Sequence, residues 1–216
     1  MQITIREPGN AITHFIGMML AVFASVPLLV KSGISSDTRC FMAMGIFIVS
    51  MILLYGSSAL YHTVNVSAKA LQIFRKVDHM MIFVMIAGSY TPVCLIVLGG
   101  RTGMLLLGLV WSIALVGMGI NLFWITCPKW FSSLVYIALG WVCVLVFGEL
   151  LAVLPIEAFL WLLAGGIIYT IGGVIYALKL KVFNGKYVYF GSHAIFHLFV
   201  MGGSICHFIF MYGYVA

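Results

Sequence analysis

Long apolar stretches alternate with short polar gaps along the whole chain, and the pattern repeats seven times. The stretches run 12–30, 41–62, 79–98, 103–125, 131–154, 156–178 and 189–215. Each has about the 20 residues that a helix needs to cross the hydrocarbon core of a bilayer. Five contain no Asp, Glu, Lys or Arg, and the other two carry Glu149 near one end and Glu157 at the very start. The joints hold helix-interrupting residues: Gly33 to Asp37, Gly99-Gly100-Arg101, Cys127-Pro128-Lys129, Leu154-Pro155 and Asn184-Gly185-Lys186. Inside the spans, Gly165-Gly166, Gly172-Gly173 and Gly202-Gly203 predict closely approaching helix backbones. Ser89 and Thr91 flank a predicted kink at Pro92, where their hydroxyls can satisfy freed carbonyls. The pattern predicts an all-α integral membrane protein, a seven-transmembrane helix bundle forming one domain over 1–216.

Composition agrees. With 64% hydrophobic residues, 7% charged residues and a mean hydropathy of +1.20, a soluble domain of 216 residues could not hide its apolar side chains. The formal charge of +6 invites a nucleic-acid reading, but the eleven Lys and Arg form no long basic run, so no nucleic acid is expected as partner. They sit in the gaps instead. Arg6, Lys69, Arg75, Lys76, Lys129, Lys179, Lys181 and Lys186 fall on the side of the N-terminus, against Lys31, Arg39 and Arg101 on the other. This asymmetry predicts a cytoplasmic N-terminus and an outside C-terminus in a cell membrane. The first stretch is long for a signal sequence and is read as a retained span. Five cysteines are scattered without CxxC spacing, which points away from a disulfide framework or a cysteine metal site.

Against this background the ionisable residues stand out, because they are costly inside apolar segments. With seven crossings, the second span ends at His62, the third begins just after Asp78, and the seventh carries His193 and His197 shortly after its start. Four groups from three helices therefore fall at one end of the bundle. His193 and His197 are four residues apart and share a helix face, the spacing at which a helix offers two nitrogens to one metal. His62 supplies a third. Three protein ligands leave a tetrahedral zinc ion one open position, the pattern of catalytic sites. Asp78 would hold or deprotonate a water there, and Ser58, one turn before His62, would orient the water or a substrate carbonyl. The rival reading is an Asp78–His ion pair that ties spans together. His79 is expected on the rim. Glu7, Asn10 and His14 read as an interfacial capping network, and His207 and Glu149, both near the outer side, as a structural pair.

These residues also occur as a set. Glu7-x-x-Asn10-x-x-x-His14, Ser58-Ala59-Leu60-Tyr61-His62 followed by Asp78, Ala87-Gly88-Ser89-Tyr90-Thr91-Pro92, and His193-x-x-x-His197 appear in order over essentially the whole chain. The combination resembles the progestin and adipoQ receptor (PAQR) family, specifically its bacterial hemolysin III branch. The resemblance implies a seven-helix bundle with a cytoplasmic N-terminus and zinc held by His62, His193 and His197. It further implies Asp78 contacting the zinc water and Ser58 beside it. Related receptors and alkaline ceramidases imply hydrolysis of lipid amides, and the bacterial members are linked to membrane lipid homeostasis. Recognition of a protein hormone is not expected.

The leading expectation is a zinc-dependent intramembrane hydrolase of a lipid amide or ester. The second is a non-catalytic, zinc-stabilised sensor or lipid-homeostasis protein. A hemolysin-type pore is the third, yet it needs polar side chains along several helices, which the first, third and fourth spans lack. A bis-histidine haem protein ranks last.

Overall fold

In the computed structural model, residues 5–34, 37–124, 126–178 and 190–216 are described, and every regular element among them is helical. The helices are α1 (Pro8–Ile34), α2 (Thr38–Thr63), α3 (Ala68–Pro92), α4 (Gly100–Phe123), α5 (Lys129–Gly140), α6 (Phe147–Val153), α7 (Ile156–Leu178) and α8 (Ser192–Phe210). A tighter turn, Trp141–Val146, joins α5 to α6 in one crossing, and wider π-helical turns extend α3 through Leu98 and α8 through Val215. Seven helices are thus long and apolar enough to span a membrane, as the pattern predicts. Lys179, Lys181, Lys186 and the Asn184-Gly185 joint lie outside the described residues, so the loop-charge asymmetry remains a sequence argument.

Local chemistry sets the helix starts. Asp37 caps α2 by accepting from the Arg39 N–H at 2.9 Å, and Ser67 caps α3 by accepting from the Ala70 N–H at 3.4 Å. Pro8 opens α1 at the first helical position, where its missing N–H costs nothing. Around Pro92, the Thr91 hydroxyl donates to the Ala87 carbonyl at 3.0 Å and Ser89 to Ile86 at 2.7 Å, so both bond back within the helix but neither reaches Gly88, whose carbonyl the proline leaves without its donor.

One boundary differs in a way that matters for the site. The third apolar stretch starts at His79, but α3 starts at Ala68, so Asp78 sits about three turns inside the helix. Lys69, Arg75 and Lys76 hide those turns from a hydropathy reading. The helix persists because its Ser67 cap and its alanines favour it. At the other contributing helix, α8 begins at Ser192, which leaves His193 in the first turn.

Three crossings are central. Half of the most apolar window is buried in α2, in α3 and in α8, against 17–28% in the other four. Those three carry every candidate ligand. Tyr55 ties α2 to α8: its hydroxyl donates to Ser204 Oγ at 2.6 Å, and Tyr169 Oη of α7 meets the same Ser204 oxygen at 2.7 Å. The glycine pairs behave as predicted between α7 and α8, where a Cβ on Gly165 would lie 2.3 Å from the His207 ring and one on Gly203 2.8 Å from the Tyr169 ring.

Candidate metal centre

His62, at the end of α2, and His193 and His197, on one face of α8, come together. Each offers one ligand nitrogen, and the three nitrogens lie within 4.8 Å of one another. His62 and His197 are each 1% exposed. The Nε2 atoms of His62 and His193 face each other at 3.3 Å. Two nitrogens each about 2.0–2.1 Å from a tetrahedral ion would be separated by nearly that distance.

The hydrogen bonds on the far side of the rings decide which nitrogen each ring presents. His62 Nδ1 is 2.6 Å from Glu7 Oε2. That hydrogen bond is the main reason the Glu7 pKa falls from 4.5 to about 2; burial opposes it, and the Asn10 side chain assists. An ionised carboxylate can only accept, so His62 Nδ1 donates, the tautomer that in a neutral imidazole leaves the lone pair on Nε2. His197 Nδ1 lies 3.2 Å from the Asn10 carbonyl oxygen, which also can only accept. Thr13 Oγ1, 3.0 Å from the same Nδ1, has its own proton directed at the Gly9 and Asn10 carbonyls. His197 therefore also directs a bare Nε2 towards the cluster. Converging imidazole nitrogens suit a borderline-soft divalent ion.

Asp78, 8% exposed, and Ser58, 1% exposed, stand beside the histidines. The Ser58 hydroxyl neighbours the Asp78 carboxyl but completes no hydrogen bond of normal length. The expected alternative of an Asp78–His ion pair is not what forms: among the described residues, the carboxylate paired with a histidine is Glu7, on His62. Two further expectations are corrected. His14 belongs to no interfacial network; it is 3% exposed and stacks on His197 with ring centroids 3.5 Å apart. Glu149 and His207 do not pair, since Glu149 is exposed and His207 Nε2 donates to the Leu162 carbonyl at 3.3 Å. Glu7 and Asn10 do hydrogen-bond, Asn10 Nδ2 to Glu7 Oε2 at 2.7 Å, but their partners inside the bundle are the clustered histidines.

The cluster opens on a cavity of about 150 Å³ between α2, α3, α5, α7 and α8. Ser58, Asp78, His79, His193 and His197 line one end, while Leu54, Ile82, Ile86, Ile137 and Val200 line its apolar walls. Buried polar atoms without a protein partner concentrate on residues of this lining: both His14 nitrogens, Ser58 Oγ, Nδ1 of His79, His193 and His207, and Ser133 Oγ.

Comparison with known proteins places this architecture. The family described as haemolysin-III related matches residues 2–208. The chain belongs to this family. It is 36% identical to Hemolysin-3 of Bacillus cereus over 99% of its own length and 94% of that protein. It is 38% identical to the Hemolysin-3 homolog of Bacillus subtilis (strain 168), over 95% and 92% respectively. A more distant likeness, 23% identity, covers 94% of this chain and 49% of the Adiponectin receptor protein of Drosophila melanogaster. This haemolysin-III related chain is accordingly a multi-pass membrane protein, in agreement with the resemblance drawn from its motifs.

Proposed function

We propose that this protein is a zinc-dependent intramembrane hydrolase acting on an amide or ester of a membrane lipid. The observation that carries the reading is the triad of His62, His193 and His197 beside Asp78, at the polar end of a largely apolar cavity. The donor set fits zinc: three imidazoles, two of them hydrogen-bonded through Nδ1 so that Nε2 faces the cluster, with His62 and His193 nitrogens at tetrahedral ligand spacing. A zinc ion held by these residues would supply Lewis-acid polarisation of a carbonyl and make water acidic enough to attack at neutral pH. Asp78 takes the proton from the attacking water and returns it to the leaving amine or alkoxide. Ser58 donates its hydroxyl to the substrate carbonyl or orients the water. The apolar walls receive hydrocarbon, and the unpartnered polar atoms of His14, His79 and Ser133 favour a headgroup with hydrogen-bonding capacity. The excess of Lys and Arg in the loops on this side favours the cytoplasmic face for this end.

Metal analysis of purified wild type beside His193→Ala, paired with turnover of a panel of lipid amides and esters, tests the reading. One zinc per wild-type chain, little in the variant, and zinc-dependent product release are expected. A metal-free wild type, or a zinc-loaded protein without turnover whose His62→Ala variant behaves like wild type in cells, would overturn it.

A second reading has its own support. The triad joins α2 to α8, so a bound ion would clip two of the three central helices and serve a non-catalytic sensor or lipid-homeostasis protein.

A further inference from the structure

The segment from Arg6 to Thr13 makes two kinds of contact that sequence spacing does not reveal. The first closes the end of α2. A helix leaves its last carbonyls without partners. Here Arg6 Nη2 donates to the Tyr61 carbonyl at 2.7 Å, the Glu7 N–H to His62 at 3.0 Å and the Arg6 N–H to Thr63 at 3.4 Å. The Arg6 guanidinium also lies 4.4 Å from the Tyr61 ring centre and pairs with Glu7 Oε1 at 3.0 Å. The second kind reaches the imidazoles. Glu7 accepts from the Nδ1–H of His62, and the Asn10 carbonyl and Thr13 hydroxyl accept from that of His197.

From these contacts we propose that Arg6–Thr13 is the outer shell of the metal centre, with Glu7 as its principal positioning residue, so that metal binding and docking of this segment onto α2 and α8 reinforce each other. The proposal rests on the zinc reading above. A ligating histidine needs its second nitrogen held by an acceptor, which fixes the tautomer and the ring plane and strengthens the ligand. Glu7 does this as an anion, and the Asn10 carbonyl does so as a fixed dipole. Glu7 is locked in turn by Arg6 and Asn10, so its carboxylate cannot swing away without breaking the cap on α2. Because binding couplings are reciprocal, an ion that needs these ring orientations also favours the docked segment. His193 is the exception: its Nδ1 has no partner, so its orientation comes from packing against Tyr176 and Phe196.

The test is competition of zinc against a chelator in the full-length, detergent-purified protein, for wild type, Glu7→Ala, Glu7→Gln and Thr13→Val. Amide hydrogen exchange over residues 5–13 is followed with and without zinc. Glu7→Ala is expected to weaken zinc by about 10–100-fold. Glu7→Gln, which keeps an acceptor but loses the charge, should fall between it and wild type, and zinc should slow exchange in the wild-type segment. A purely structural Glu7 would instead lower the thermal stability of stripped and loaded protein alike. In that case both Glu7 variants would bind zinc within about twofold of wild type, and exchange in the segment would not respond to zinc. That result overturns the outer shell while leaving the metal centre standing. A wild type that takes up no zinc defeats both.

Discussion

The imidazole of His14 lies flat against that of His197, with planes 11° apart, and its edge-on neighbour on another side is Tyr55 at 5.1 Å. Neither His14 nitrogen has a hydrogen-bond partner. What the ring supplies to His197 is therefore a surface that fixes its plane.

That geometry makes packing and polarity separable. His14→Phe keeps a flat ring and should retain the fold and the zinc content. His14→Ala removes the ring and should lower stability by about 1–3 kcal/mol. Thermal denaturation in detergent, in chelator and in zinc, checks both. Loss of zinc in His14→Phe at unchanged stability would show that a nitrogen of His14, and not its surface, is what the centre uses.

Ser204 offers a different kind of test, because it receives Tyr55 and meets Tyr169 at once. Removing one tyrosine hydroxyl leaves Ser204 with the other. Removing Ser204 leaves two buried hydroxyls from two helices without their partner. Ser204→Ala should therefore cost more than Tyr55→Phe, about 1–3 kcal/mol against about 1 kcal/mol or less. Unfolding midpoints of the two variants decide the order, and equal shifts would mean that the hydroxyls find other partners.

Much of this architecture could be read from the sequence because hydropathy and helix period are local properties. Seven stretches long enough to span fix the topology, and topology alone brings the end of one helix to the start of two others. That is why His62, His193 and His197 could be grouped without coordinates. The third helix starts earlier than its apolar stretch because Lys69, Arg75 and Lys76 interrupt the apolar pattern while leaving helix formation intact. Glu7 and Asn10 showed a legible i, i+3 spacing, yet spacing gives a shared face and not the neighbour that face meets. Thr13 carried no signal at all: one hydroxyl at the start of an apolar run looks like any other. His207 and Glu149 matched in depth along the bilayer normal, but no one-dimensional reading supplies their positions around the bundle.

Close approach of α7 to α8 depends on side chains that are absent. A Cβ on Gly165 would lie 2.3 Å from the His207 ring, whereas one on Gly108 would meet nothing within 4 Å. Gly165→Ala should cost about 1–3 kcal/mol through forced displacement of the ring or of the helix. Gly108→Ala should be neutral or slightly stabilising, because alanine is the better helix former. Thermal unfolding of the pair checks this, and because His207 lines the cavity, the Gly165 variant should also change the cavity's shape. Equal stability of the two variants would show that α7 can move away from α8 at little cost.

Asp78 separates catalysis from a structural clip. Its carboxyl neighbours Ser58 and lines the same cavity as His193 and His197, but the carboxylate bonded to a histidine of the triad is Glu7. Replacing Asp78 thus removes no hydrogen bond that orients a ligand. Asp78→Asn keeps the shape and an acceptor oxygen while giving up the ability to take a proton. If the protein hydrolyses lipids, this variant should hold one zinc per chain, unfold close to the wild-type temperature, and turn over substrate about 10²–10⁴-fold more slowly. If zinc only clips α2 to α8, it should complement a deletion strain as well as wild type does, whereas His193→Ala fails. Zinc content, unfolding temperature and complementation measured on the same two variants distinguish the readings, since only a proton-transfer role makes Asp78 indispensable while the metal stays in place.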